Sequence, residues 1–231
     1  MNAFITKDVD MFFMVESFLQ QKGLLKGIIS KSDSWLFKIL GWLLFFNKGF
    51  NKYFITTIGS TVYWRQEDKN RVKDIYDAMT LSHEGVHLND YKEWGGVFQI
   101  SYLLPQLATI FCFLAFLSFI NVYCLFFLLF IIMLLPMPSI FRLHWELKGY
   151  VISHILRCSV FIDNPKMYYQ RYIEEQFVSS NYYFMFPFKK KLRKQFNTYL
   201  LNLDPFQKEL IALWEDKLGI AIKDKIKDLM V

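Results

Sequence analysis

"LSHEGVHLND", residues 81–90, holds two of the four histidines, four positions apart, with Glu84 directly after the first. On an α-helix, positions i and i+4 lie one turn apart on one face, so His83 and His87 can reach a single ion. Val72, Tyr76 and Met79 precede them at steps of three and four, and Asp90 follows. This stripe predicts a helix from about Asn70 that ends at the Gly95-Gly96 pair. Both imidazoles then point inward, where unpartnered rings are costly and a metal would satisfy them. The plainer alternative is a pair of core histidines bonded to carboxylates.

His83-Glu84-Gly85-Val86-His87 reads HExxH, and the chemistry of that spacing is explicit. Zinc lowers the pKa of a bound water toward about 7 and polarises a carbonyl, while the intervening glutamate accepts the proton and passes it to the leaving amine. Catalytic zinc needs a third protein ligand and an open position. A third histidine in the pattern HExxHxxGxxH is excluded, because position 90 is Asp and position 93 is Glu. A glutamate on a later helix is the other arrangement, and Glu93, Glu146, Glu174, Glu175, Glu209 and Glu215 are the candidates. Glu146 is the choice: it sits in the helical segment "HWELKGY", with Gly149 giving room for close approach and Tyr150 at i+4. An i,i+4 pair with Arg142 is its plainer reading. Glu174-Glu175 comes second and looks more like a solvated face. For the transition-state donor, Tyr150, His144 and His154 are available, each also readable as a packed helix residue, and Tyr150 is assigned the catalytic role beside Glu84.

Between the motif and Glu146 lies the most unusual composition of the chain. The protein is 54% hydrophobic with 25 Phe, and Val97 to Pro138 carries no charged residue. A bilayer core of about 30 Å takes roughly 20 helical residues, so these forty-two suit two joined spans. The expected spans are Gln99–Leu117 and Val122–Leu135, turning at Ser118–Asn121, ended by Pro136 and Pro138, with Tyr102 and Tyr123 at the interfaces. A shallow hairpin, or a buried one in a soluble protein, is the alternative. If Glu146 joins the two histidines on one metal, the chain must return to its starting side, which two spans achieve and one does not. Lys92, Arg142 and Lys148 flank the interval, so the site is expected on the cytoplasmic face of an integral membrane protein.

The remaining segments are more ordinary. The N-terminus carries Lys7, Asp8 and Asp10 where a leader needs an apolar run. Trp35–Phe46 is apolar but short, and reads as an interfacial or core-capping helix. Tyr53–Trp64 is β-branched and aromatic around Gly59-Ser60, which suits a bulged strand or a tight hairpin. Ser139 is a predicted N-cap for a helix to about Arg157, further helix is expected over Lys166–Ser179, and Asp204-Pro205 starts a C-terminal helix with Lys223, Lys225 and Lys227 toward its end. Three cysteines, Cys112 and Cys124 among them, form neither a disulfide framework nor a CxxC pattern. The run Lys189, Lys190, Lys191, Arg193, Lys194 suits either anionic lipid or a solvated helix start, and the nearby Phe184, Phe186 and Phe188 fit interfacial anchoring better than nucleic acid.

In order, the strand "ITTIGSTVYW", the helix with "HEGVH" and the later helix with "ELKGY" resemble the gluzincin branch of zinc metallopeptidases. The "PQL" opening of the apolar interval and its "PMPSIFRLHWELKGY" exit are similar to uncharacterised membrane-associated HExxH proteins of tailed phages. The specific matches cover about thirty residues. The resemblance implies Zn²⁺ held by His83, His87 and Glu146, Glu84 as general base, and a peptide substrate pairing along the strand Ile58–Trp64. One departure is clear: Tyr150 stands where many members carry an acid that orients a histidine, and Asp90 is then the candidate for that work, or else accepts from a surface partner.

These observations predict a mostly helical α+β protein with a zincin-like fold, a short sheet and an inserted two-helix membrane hairpin. Its parts are 1–96 with the sheet and motif helix, 97–138 as hairpin, and 139–231 as the helical part carrying Glu146. The expected function is a zinc-dependent endopeptidase acting on a peptide or protein near a membrane surface. Its rival is a membrane-docked structural or assembly protein with a structural or vestigial zinc site and a protein partner.

Overall fold

Capping chemistry sets the frame of the chain. The computed structural model describes residues 2–43, 55–65, 73–104, 106–134, 138–162, 164–179 and 185–231. Val72, Pro136, Phe184, the start of the Tyr53–Trp64 strand and the end of the Trp35–Phe46 helix lie outside them. The fold is α+β, mostly helical with one three-stranded sheet. It divides into two compact units, Met1–Gly95 with Asp204–Lys223, and Gly96–Leu203 with Asp224–Val231.

The first unit contains α1 (Asn2–Gln21), β1 (Gly27–Ser30), α2 (Trp35–Leu43), β2 (Thr56–Ile58), β3 (Thr61–Trp64) and α3 (Ile75–Trp94). Between β2 and β3, Gly59 adopts φ +61 in a two-residue turn, so the hairpin alternative holds. β3 pairs antiparallel with β2 and parallel with β1, giving the order β1-β3-β2. This corrects the docking edge expected at Ile58–Trp64. Thr61–Trp64 is paired on both sides, and among the described residues β1 and β2 each have a neighbour on one side only.

α3 starts where its cap directs. Asp74 and Asp77 form a reciprocal capping box, and Arg65, just past β3, holds the buried Asp77 at 2.9 Å. The sheet thereby fixes the start of the motif helix. Gly95 ends it with φ +54. Against α3 packs α1, whose Met11, Phe12, Val15 and Leu19 form a buried stripe. Close approach comes at Gly85, where an added Cβ would lie 2.9 Å from Leu19 Cδ2.

The last member of this unit is α9 (Pro205–Leu218), the helix capped by Asp204 as expected, with Gln207 completing its box. Trp214 Nε1 donates to Ser82 Oγ at 3.1 Å, and Lys22 pairs with Glu209 at 2.7 Å. These contacts group Asp204–Lys223 with the N-terminal residues, a distribution the sequence division at 139 does not contain. The three C-terminal lysines are not at the end of this helix. Gly219 takes the left-handed conformation and stops it, so Lys223, Lys225 and Lys227 belong to a separate 3₁₀ segment, Lys223–Leu229.

The second unit holds α4 (Gly96–Leu103), two apolar 3₁₀ segments (Gln106–Phe119 and Val122–Leu134), and α5 (Ile140–Val160), capped by Ser139. Then follow α6 (Pro165–Tyr168), a π-helical turn (Tyr169–Glu174), α7 (Glu175–Val178) and α8 (Lys189–Leu201). α8 is the basic run, with Leu192, Phe196 and Leu200 inward and its first lysines exposed. The apolar segments pack on each other, Phe111 and Phe130 ring to ring at 5.4 Å. Their outer sides carry exposed Phe113, Phe116, Phe119, Ile120 and Phe126. Gln99–Leu103, expected in the first span, belongs instead to α4. Among the described residues no single helix is long and apolar enough to cross a membrane, and α4 with Leu107–Phe119 meets that measure only as a pair bent by 74°.

Candidate metal centre

α3 brings His83 and His87 onto one face one turn apart, their ring centroids 5.0 Å from each other. The stripe proposed for this face begins later than its periodicity suggests. Tyr76 is exposed, whereas Met79, His83, His87 and Asp90 are buried. Asp90 Oδ2 lies 3.9 Å from His87 Nδ1, one turn on, and the aspartate is wholly buried, so its reading as a surface acceptor is corrected. It stands on the His87 face of the helix, beyond hydrogen-bond distance of the imidazole.

Glu84 leaves this face toward the sheet. Thr57 Oγ1, from β2, donates to Glu84 Oε2 at 2.6 Å. The neighbouring Thr56 Oγ1 accepts from the buried Lys31 at 2.8 Å, and the same ammonium stands 4.7 Å from the Phe37 ring centre. Burial pushes Lys31 down to about 8, against the Glu84 charge, which raises it. A buried cation thus shares the neighbourhood of the motif carboxylate.

Glu146, in the second unit, is buried on α5 with Tyr102 Oη donating to its Oε1. Glu146 is buried, so it does not lie at a surface as the pairing with Arg142 supposed, and Arg142 itself lies against Tyr102. Arg142 Nε donates to the Tyr102 carbonyl at 3.1 Å, and its guanidinium stands 5.2 Å from the Tyr102 ring centre. Tyr102, read from sequence as an interfacial anchor, is therefore a partner of the candidate ligand.

His83, His87 and Glu146 form a group that could hold a metal ion. Their exposures are 9%, 5% and 3%. Two imidazoles and one carboxylate are a donor set that divalent zinc accepts. The residues present fit the ion.

The other candidate glutamates have different employment. Glu174 is buried, not solvated, and pairs with Arg193 at 2.8 Å and Lys189 at 3.5 Å, while Glu175 is exposed. Glu93 accepts from Asn89, Glu209 pairs with Lys22, and Glu215 caps the backbone N–H groups of Ile222 and Lys223. Of the three proposed donors, His144 bonds Tyr199, His154 is buried against the Leu229 carbonyl, and Tyr150 is half-buried with its ring on Phe177. Lys31, Thr57 and Tyr102 were not legible as site residues. Their contacts span 25, 27 and 44 positions of the chain, and none belongs to a motif.

Comparison of the chain with protein-family models, with curated proteins and with solved structures finds no match.

Proposed function

We propose that this protein is a zinc-dependent endopeptidase of zincin type that works near a membrane surface. The observation that carries the reading is the His83, His87 and Glu146 group, which could hold a metal ion, together with the motif glutamate held by the sheet. These three residues would hold the zinc, which when bound acidifies water and polarises the scissile carbonyl.

The residues of the chain do the rest. Thr57 engages Glu84 Oε2, so Oε1 is the oxygen that takes a proton from the attacking water and returns it to the leaving amine. Asp90, 3.9 Å from His87 Nδ1 and one turn on, is the carboxylate that would orient this imidazole once it ligates the metal. β2, joined to the base through Thr57, is the strand along which an extended peptide would pair. The exposed phenylalanines of the two apolar segments favour insertion into lipid over burial in a soluble core. Flanking Lys92, Arg142 and Lys148 favour a cytoplasmic site.

The test compares zinc stoichiometry and peptide-library cleavage for the wild type, Glu146→Ala and Glu84→Gln. Glu146→Ala should lose zinc. Glu84→Gln should keep zinc and fold while cleavage drops by about 10² or more, as for loss of a general base. A zinc-loaded wild type that cleaves nothing, with four protein ligands on the metal, would establish the structural clamp instead.

A further inference from the structure

We propose that Tyr102 is the positioning residue of the third ligand, its phenol fixing the Glu146 carboxylate before the metal arrives. This inference rests on the metal reading above and concerns a residue outside the HExxH motif and outside the helix that carries the ligand.

The geometry is a matched pair of helix faces. Phe98, Ser101 and Tyr102 lie at i, i+3 and i+4 on α4, and Arg142, Trp145 and Glu146 lie at i, i+3 and i+4 on α5. Three side-chain hydrogen bonds join the faces. Tyr102 Oη donates to Glu146 Oε1, Arg142 Nε donates to the Tyr102 carbonyl at 3.1 Å, and Trp145 Nε1 donates to Ser101 Oγ at 3.0 Å. The Phe98 and Trp145 rings meet edge to face at 5.1 Å, and Ser139 Oγ closes the far end on the Leu104 carbonyl at 2.7 Å. α4 is thus registered against α5 without relying on Tyr102 Oη.

That redundancy decides what the hydroxyl is for. With Trp145, Arg142 and Ser139 already joining the two helices, the Tyr102 hydroxyl adds control of one carboxylate. A glutamate side chain has three rotatable bonds, and an ion that binds it must otherwise freeze them itself. A phenol donating to Oε1 selects the rotamer and the carboxylate plane in advance. Partners of this kind tune a metal through its ligands, and their loss typically weakens affinity by about 10- to 100-fold.

The experiment uses the full chain in detergent, with Zn²⁺ affinity read by competition against a chromophoric chelator and Co²⁺ as a spectroscopic probe. Tyr102→Phe keeps the ring and its packing. Its melting temperature should stay near the wild type while zinc affinity falls by about 10- to 100-fold and the visible Co²⁺ bands move. Trp145→Phe removes a helix tie without touching Glu146, so it should lower the melting temperature and leave affinity and bands in place. Equal zinc affinity for wild type and Tyr102→Phe overturns the inference and leaves the metal reading standing. Affinity losses that track melting temperature across both variants also overturn it, since the role is then merely structural. Wild type that binds no zinc ends the metal reading and this inference together. If Tyr102→Phe does not fold, 3-fluorotyrosine at position 102 in otherwise native protein reports instead: its ¹⁹F resonance should shift on titration with Zn²⁺, and an unchanged resonance overturns the proposal.

Discussion

Thr57 Oγ1 donates to Glu84 Oε2 at 2.6 Å, tying a strand residue to the acid of the motif helix. The contact spans a sequence separation of 27, and it fixes which carboxylate oxygen faces the sheet. A hydrogen bond to a charged group is worth about 1.5–3 kcal/mol, enough to hold one rotamer. Thr57→Val removes the donor at nearly constant volume, so zinc content should stay unchanged while peptide cleavage slows by roughly tenfold or more. Thr57→Ser should restore most of the rate. Full activity in Thr57→Val would show that the strand does not hold the base during turnover.

Packing beneath the motif gives a second expectation. Gly85 lets α1 approach α3, and an alanine Cβ there would meet Leu19 Cδ2 at 2.9 Å and Cδ1 at 3.4 Å. Gly→Ala gains about 1 kcal/mol in helix propensity, whereas overpacking a core costs about 1–3 kcal/mol. The packing cost is the larger because Leu19 is wholly buried and has little room to yield. Gly85→Ala should therefore destabilise by about 1 kcal/mol. In a Leu19→Ala background the same change should become neutral or stabilising, a coupling measured by denaturant unfolding of the four proteins of the cycle.

A third expectation concerns acid. His154 is wholly buried, with Nε2 3.0 Å from the Leu229 carbonyl and aromatic rings of Tyr168, Tyr169 and Phe196 around it. Burial pushes it down to about 4, with the Leu229 carbonyl acting in the opposite direction. Its folded-state value lies below the unfolded value near 6.5, so the unfolded chain binds the proton first as pH falls. The stabilisation is complete above about pH 6.5 and is lost as pH drops to about 4, to an extent on the order of 3 kcal/mol. Urea unfolding across that window should show the loss. His154→Gln, which keeps a donor for the carbonyl, should flatten it, and an unchanged slope would assign the effect to another group.

Local chemistry was legible in the sequence where a residue acts on its own helix. The i,i+4 histidines, the Asp204-Pro205 start and the Ser139 cap all follow from short-range geometry, and each stands where its spacing put it. Gly219 was legible in principle. The apolar and basic residues beyond it suggested one continuous helix, but a left-handed glycine outweighs that pattern. Tyr76 shows the limit of a periodic stripe, because step size says nothing of where the neighbouring helix stops covering it. Lys31, Thr57 and Tyr102 were out of reach for a different reason. A strand threonine or a helix tyrosine has the same local signature whether it packs, faces lipid or donates to a carboxylate, and only the tertiary partner decides. The sheet order had the same dependence: nothing in "TVYW" says that β1, thirty residues earlier, takes its open side.

The apolar segments supply the last prediction, which follows from exposure and chain connectivity. Gln106–Phe119 and Val122–Leu134 turn at Ile120-Asn121, and their outer phenylalanines form an exposed apolar surface of the kind that marks a contact with lipid or protein. If they enter the bilayer as a hairpin, the residues before and after must emerge on one side. Single cysteines at Trp35, Asn121 and Gln170, all exposed positions, test this in a background with Cys112, Cys124 and Cys158 replaced. In sealed vesicles of one orientation, an impermeant maleimide should label positions 35 and 170 from the same face. Position 121 should label from the opposite face if the hairpin crosses, and from neither face if it ends within the bilayer. Labelling of 35 and 170 from opposite faces would put His83 and Glu146 on different sides of the membrane, and would end both the hairpin and the assignment of Glu146 as a ligand. Labelling of all three from one face, with protein recovered in the soluble fraction, would instead mean that the exposed phenylalanines are covered by protein, as the membrane-docked assembly reading requires of a partner.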